Sequence, residues 1–193
     1  MAAGRVCTGF SLPYVAKYAA SGGTITYSDG QKLARGVSVS IEPESSNDNI
    51  FYADNIPSES AGNTFTGGDI NLTVDGLLAD AEKMIMGLVM DSEEKWYVYS
   101  DQQEVPYVGV GFVARFQSDG VVSYVPFILV KCQFNQLSTS AETQEEQISW
   151  QTQELTAKIM RGDDADREWK KVGIEYATEA AAEAAIKATF NIT

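Results

Sequence analysis

Histidine is absent from all 193 residues. That removes the usual general base near neutral pH and the commonest metal ligand together. Cysteine occurs only twice, at Cys7 and Cys132, too far apart for a CxxC pair. Cys132 falls inside an apolar strand pattern, which points to a buried free thiol. Positive charge is scarce: 14 Lys and Arg face 27 Asp and Glu, a net charge of −13. That is the wrong sign for gripping nucleic-acid phosphates. No stretch approaches the ~18 unbroken apolar residues of a membrane-crossing helix. The opening MAAGRVCTGFSLPYVAK has no signal-peptide core either. The expectation is a soluble product without a membrane partner.

Chemical motifs are equally thin. There is no GxSxG, HExxH or P-loop. Gly109 and Gly111 sit within a strand pattern, not between a strand and a helix, so they read as sites of close packing or bending. The acidic run Asp163-Asp164-Ala165-Asp166-Arg167-Glu168 lacks the glycine and ligand spacing of a calcium loop and reads as a solvated turn. Nothing near Glu42 and Glu44, or Glu145 and Glu146, would shift a carboxylate for acid–base work. Neither an enzyme nor a cofactor is expected.

What the chain does have is enough apolar residues, 44%, for one domain with a real core over 1–193. An arm at 1–23 precedes a short β run from Thr24 to Ser28. Val37, Val39 and Ile41 then alternate with Ser38, Ser40 and Glu42, and Ile70, Leu72 and Val74 alternate with Asn71, Thr73 and Asp75. Both show the two-residue period of a half-buried strand. Between them, 43–67 is rich in Ser, Asn, Asp, Glu, Gly and Pro, which predicts a long irregular loop. It nevertheless carries Ile50, Phe51, Tyr52, Ile56 and Phe65, so the loop should lie on something. Leu77, Leu78, Ala81, Met84, Ile85, Leu88 and Val89 fall at helical spacing. A short aromatic strand is predicted from Lys95 to Ser100. Two long strands follow, 108–117 and 122–134, joined at Ser118-Asp119-Gly120, the clearest hairpin signal in the chain. Pro126 within the second should sit at a bulge or an edge. After a polar linker, a last strand covers SWQTQELTAKIMR, 149–161, with Trp150, Gln151, Thr152 and Gln153 in its first part. The remainder, 162–193, is a charged turn and a helix capped by Thr178 with Glu179 in its first turn. The sum is mainly β (α+β): an antiparallel β sandwich or half-barrel with a flanking α-helix and a C-terminal helix.

Ser38, Ser40, Glu42, Asn71, Thr73 and Asp75 form one polar face. It suits an ordinary solvated sheet and equally the hydrophilic lining of a channel built from several copies. Periodicity alone does not separate the two.

The words PYVAKY, VSIEPESSNDNIFYADN, LTVDGL, VGVGFVARFQSDG, YVPFILVKCQFNQ and TQEEQISWQTQELTAKIMR, in that order between about residues 13 and 190, resemble the major tail protein of long-tailed bacteriophages with non-contractile tails, the phi-thirteen type. None is a catalytic signature; extent and order carry the likeness. The resemblance implies a structural virion protein: a tail tube subunit in hexameric rings, stacked so that double-stranded DNA passes through the lumen without specific binding. It implies tape measure, tail terminator and distal tail proteins as partners. Assembly in the host cytoplasm and residence in the virion follow. Four strands per copy would form the inner barrel, with Ser38, Ser40, Glu42, Asn71, Thr73 and Asp75 as lining. The 119-centred hairpin would supply two of those strands. The 43–67 loop would reach the next ring through Ile50, Phe51, Tyr52, Ile56 and Phe65. Trp150, Gln151, Thr152 and Gln153 would meet a neighbouring subunit, since uncharged polar groups can bond there without burying a charge. Two other readings remain open on the residues alone: a tube protein of a contractile injection or secretion system, and a β-sandwich binding module.

Overall fold

The computed structural model describes residues 4–46, 49–53, 56–62, 64–91, 93, 95–140, 143 and 151–192, with backbone only for 49–53, 56–60 and 61. The protein is mainly β. Its principal sheet is antiparallel and eight-stranded. In chain order its strands are β1 (Val6–Ser21), β2 (Thr24–Lys32), β3 (Gly36–Ser45), β6 (Phe65–Val74), β9 (Val108–Ser118), β10 (Val121–Phe134), β11 (Gln153–Met160) and β12 (Lys170–Val172). In space the order is β2-β1-β9-β10-β11-β6-β3, with β12 on β10. Two hairpins stand apart: β4 (Asn49–Ala53) with β5 (Ile56–Ala61), and β7 (Val89–Asp91) with β8 (Trp96–Val98). Helix α1 spans Ala79–Met86 and α2 spans Glu179–Thr189. The expected sandwich or half-barrel with a flanking and a C-terminal helix is what forms.

β10 belongs to both halves of the sandwich. Phe127–Leu129 pair with β12, whereas Lys131–Phe134 pair with β11, and the register on β9 shifts between Leu129 and Cys132. The main core fills the space between the halves. Val15, Leu72, Val110, Leu129 and Leu155 meet Ala81, Met84, Ile85 and Met86 of α1 there. Cys132 is part of it as a buried free thiol, as its strand pattern predicts, and burial pushes its pKa up. α1 is shorter than the apolar spacing suggests. Gly87 turns left-handed at φ 64° and donates to Lys83 O and Met84 O, which closes the helix and releases Val89 into β7.

A second core lies on the outer face of β1, β9 and β10, under α2. Ala182, Ile186 and Phe190 are buried against Tyr14, Tyr27, Val113 and Ile128. The glycines explain the fit. A Cβ on Gly111 would stand 2.7 Å from Ile186 Cγ2, and one on Gly109 would stand 2.5 Å from Tyr27 Cε1 and 2.9 Å from Phe190 Cε1. The helix rests directly on bare strand, as close packing of strand glycines requires. Thr178 caps it, accepting from Ala181 N at 3.3 Å.

Three expectations need correction. The 1–23 arm is not loose: Val6–Ser21 forms β1, between β2 and β9. Its alternation is hidden because the pairing slips between Cys7 and Gly9 and again between Ser11 and Tyr14, where Leu12 takes φ 54°. Each slip moves the apolar set to the other face. The described residues of the 43–67 segment form not an irregular loop but paired strands. β3 and β6 stay paired out to Ser45 and Phe65, Ser46 N donates to Thr64 O at 2.9 Å, and β4 and β5 pair beyond. The 162–193 extension contributes β12 and a bridge from Tyr176 to Tyr124 before its helix begins.

The hairpin expectation holds. Asp119 and Gly120 both have positive φ, 49° and 82°, as a tight turn matching strand twist needs. Pro126 also lies as predicted, where the ladder lapses between β12 and Tyr176: Gly173 N donates to Pro126 O, and nothing is needed from the missing proline N–H. Among the described residues no helix is long and apolar enough to cross a membrane.

Candidate functional site

The predicted polar face exists and is wider than the two strands that suggested it. β6 lies between β3 and β11, so residues opposite one another share a side. Ser38, Thr73 and Glu154 make one row, Ser40, Asn71 and Thr156 the next, and Glu42, Asp69 and Lys158 the third. The alternate residues Leu72, Val74, Leu155, Ala157 and Ile159 are buried behind them. This is the in-and-out alternation of a sheet with one packed and one wet side.

The short side chains satisfy one another across strands. Ser38 Oγ donates to Thr73 Oγ1 at 3.0 Å and Asn71 Nδ2 to Ser40 Oγ at 3.4 Å, while Asn135 Nδ2 donates to Thr156 Oγ1 at 2.8 Å. Such pairs leave a level surface with few protruding donors. Glu44 continues the β3 row beyond Glu42. The face therefore holds four carboxylates, Glu42, Glu44, Asp69 and Glu154, against one ammonium, Lys158, a net charge of −3. Lys158 Nζ lies 2.8 Å from Asp69, whose hydrogen bond raises the lysine pKa.

Asp75 behaves differently from the other predicted lining residues. It lies beyond the end of β6, where its carboxylate accepts from Arg35 N at 3.0 Å and Arg35 Nε at 2.5 Å. Desolvation pulls its pKa upward, yet these hydrogen bonds outweigh that and hold it below the ordinary value. Its charge is already matched within the chain.

The other predicted contacts divide. Ile50, Phe51 and Tyr52 lie in β4 and Ile56 in β5, at the far end of the ribbon. Phe65 is not free to reach outward: its ring stacks on Trp169 with centroids 4.2 Å apart, at the edge of the main core. Trp150 lies outside the described residues. Gln151 and Thr152 are exposed just before β11, and Gln153 pairs with Val74 at its start. The hairpin at 119, expected to add two barrel strands, has no open face along most of β9. Val108–Ala114 are buried, under α2 on one side and the main core on the other.

Glu154, Thr156, Lys158 and Asp69 belong to the polar face, and the sequence reading assigned none of them to it. Their signal was present, since Glu154, Thr156 and Lys158 alternate with Leu155, Ala157 and Ile159. Pairing of β11 to β6, which spans 79 or more residues of sequence, had no local signature. The acidic run at 163–168 is a turn. Asp163 accepts from Tyr18 Oη at 2.9 Å and Lys131 Nζ at 2.7 Å, and Gly162 N closes on Glu168 O at 2.7 Å.

Compared with family models and with curated proteins, this chain matches none.

Proposed function

We propose that this chain is a tube-forming virion protein, the repeating subunit of a phage tail tube, whose copies surround a bore that conducts DNA. The observation that carries the proposal is the β3–β6–β11 face: three strands wide, hydroxyl and amide groups through its middle row, and net negative. A wall of that kind repels phosphate and offers it few places to bind, so a polyanion slides past. Six copies at −13 each carry −78 formal charges, a large field from which any share facing inward would act on passing DNA. The lining is assigned to Ser38, Ser40, Glu42, Asn71 and Thr73, joined by Glu44, Asp69, Glu154, Thr156 and the Lys158 paired with Asp69.

The paired ribbon supports the same reading. Beyond the Pro43–Gly68 level β11 no longer flanks it, β3 and β6 continue paired to Ser45 and Phe65, and β4 and β5 pair with each other outside the main sheet. A lone two-stranded ribbon is marginal in water and gains from docking on a neighbour. The ring number, the stacking and the tail proteins at either end belong to the resemblance and are part of the proposal.

The test is microscopy of the purified protein at rising concentration. Hollow tubes of uniform width are expected. A strict monomer at every concentration, or a solid fibre, would remove the proposal.

A further inference from the structure

Asp-Gly occurs three times in this chain, at Asp29-Gly30, Asp75-Gly76 and Asp119-Gly120. The dipeptide has a reactivity of its own. Glycine has no Cβ to shield its N–H, so its nitrogen can close on the carboxyl carbon of the preceding aspartate. The three sites lie in different surroundings, and those surroundings decide which of them reacts.

At 75–76 the carboxylate is held at both oxygens. Arg35 N donates to Oδ1 at 3.0 Å and Arg35 Nε to Oδ2 at 2.5 Å, which favours the ionised form and fixes it in place. At 29–30 the aspartate pairs with Lys17 Nζ at 2.9 Å, and Gly30 lies against the end of the chain. A Cβ on Gly30 would stand 2.5 Å from Ile192 Cγ1 and 2.7 Å from Phe190 O, so the turn has no room to rearrange. At 119–120 neither restraint exists. Both residues are exposed, and the Asp119 carboxylate makes no hydrogen bond or ion pair among the described residues. Nothing lies within 4 Å of a Cβ placed on Gly120. Asp119 already takes φ 49°, a conformation that costs any residue with a side chain. Ser118 with Val121 is the closing pair of the ladder, which leaves the Asp119–Gly120 peptide outside it.

We infer that Asp119-Gly120, at the β9–β10 turn, is a site of backbone isomerisation to isoaspartate, and that folding suppresses the same reaction at Asp29 and Asp75. The step needs no co-reactant but water. Gly120 N attacks Asp119 Cγ: the N–Cγ bond forms, a Cγ–O bond breaks, and the amide proton leaves with the carboxyl hydroxyl as water. The product is a cyclic succinimide. Water then adds back at one of its two carbonyls. Opening at Cγ restores aspartate, whereas opening at the former main-chain carbonyl leaves the chain running through Cβ and Cγ. One water is lost and one regained, so the mass is unchanged. The isomer puts an extra backbone carbon into a two-residue loop, and loop length sets hairpin register. The Ser118–Val121 pair is lost first. Val125, Ile128 and Leu129 are buried farther along β10, so the change stops short of the core. None of this depends on copies associating.

The test is ageing of the full chain, warm and at mildly acid pH, where a carboxyl is protonated often enough for its hydroxyl to leave. Trypsin puts the three sites on separate peptides, 18–32, 36–83 and 116–131, and electron-transfer fragmentation tells isoaspartate from aspartate at each position. Isoaspartate at 119 should exceed that at 29 and at 75 at least tenfold. In denaturant the three levels should converge, because the restraints that separate them belong to the fold. Equal levels in the folded chain, none at 119, or an order that survives denaturation overturns the inference. Two variants extend the test. Arg35→Ala, at an exposed side chain, frees the Asp75 carboxylate from its guanidinium and should raise isoaspartate at 75 at least threefold. Asp119→Asn keeps a pair that suits the turn and should convert at least tenfold faster than wild type, losing ammonia where aspartate loses water. An unchanged level in either variant overturns the inference.

Discussion

At the residue scale the glycines of β9 are the sharpest case. Gly111→Val would drive its side chain into Ile186 and Phe190, and such overpacking typically costs ~1–3 kcal/mol. Gly76→Ala, with nothing within 4 Å of the added carbon, should change stability by less than about 0.5 kcal/mol. Urea unfolding of the two variants checks the contrast. Lys131 offers a second case. Its ammonium lies between the Tyr18 and Tyr107 rings, 5.2 and 4.5 Å from their centroids, and bonds Asp163. The bonds from Lys131 and Tyr18 hold the Asp163 carboxyl below its ordinary 3.8. A carboxyl lowered in the folded state stabilises fully above its unfolded value, and the gain disappears as pH falls through the folded value. Lys131→Met should therefore cost about 1 kcal/mol at neutral pH, with the gap from wild type narrowing below about pH 4. Thermal melts across pH measure this. The close-packing role of Gly109 and Gly111 was legible in the sequence. The capture of Asp75 by Arg35 was not, because forty residues separate them and no local pattern links a turn carboxylate to a distant guanidinium.

At the element scale α2 was legible from end to end: a capping threonine, an acid in the first turn, and alanine-rich spacing that leaves Ile186 and Phe190 on one side. Phe190→Ala should cost ~3–5 kcal/mol, since a fully buried ring leaves a cavity over β9. Thr178→Ala should cost about 1 kcal/mol through the lost cap. Chemical denaturation with the main-core Leu155→Ala as reference checks both. β1 was illegible for a definite reason: alternation marks a strand only while its register holds, and two slips broke the phase around Thr8 and Leu12. The ribbon escaped for another. Asn and Gly are poor strand formers, and what makes the described parts of 44–67 β is pairing of its two sides with each other.

At the scale of the whole molecule, layers and core follow from alternation and the hairpin, whereas adjacency of β11 to β6 is a long-range pairing that only the folded chain reveals. That adjacency widens a two-strand stripe into a three-strand face and shifts its electrostatics from Asp75, which is paired with Arg35, to Glu42 and Glu154, Asp69 being paired with Lys158. Glu42→Lys combined with Glu154→Lys should leave tube assembly intact while slowing DNA passage at least tenfold, read as dye-labelled DNA release from assembled particles; unchanged release would count against an electronegative wall.

The most direct measurement is a helical reconstruction of assembled protein by electron cryomicroscopy, at a resolution that traces side chains. The account predicts an open bore with Ser40, Glu42, Asn71 and Glu154 turned toward it. A filled centre, or a bore walled by lysine and arginine, would contradict it.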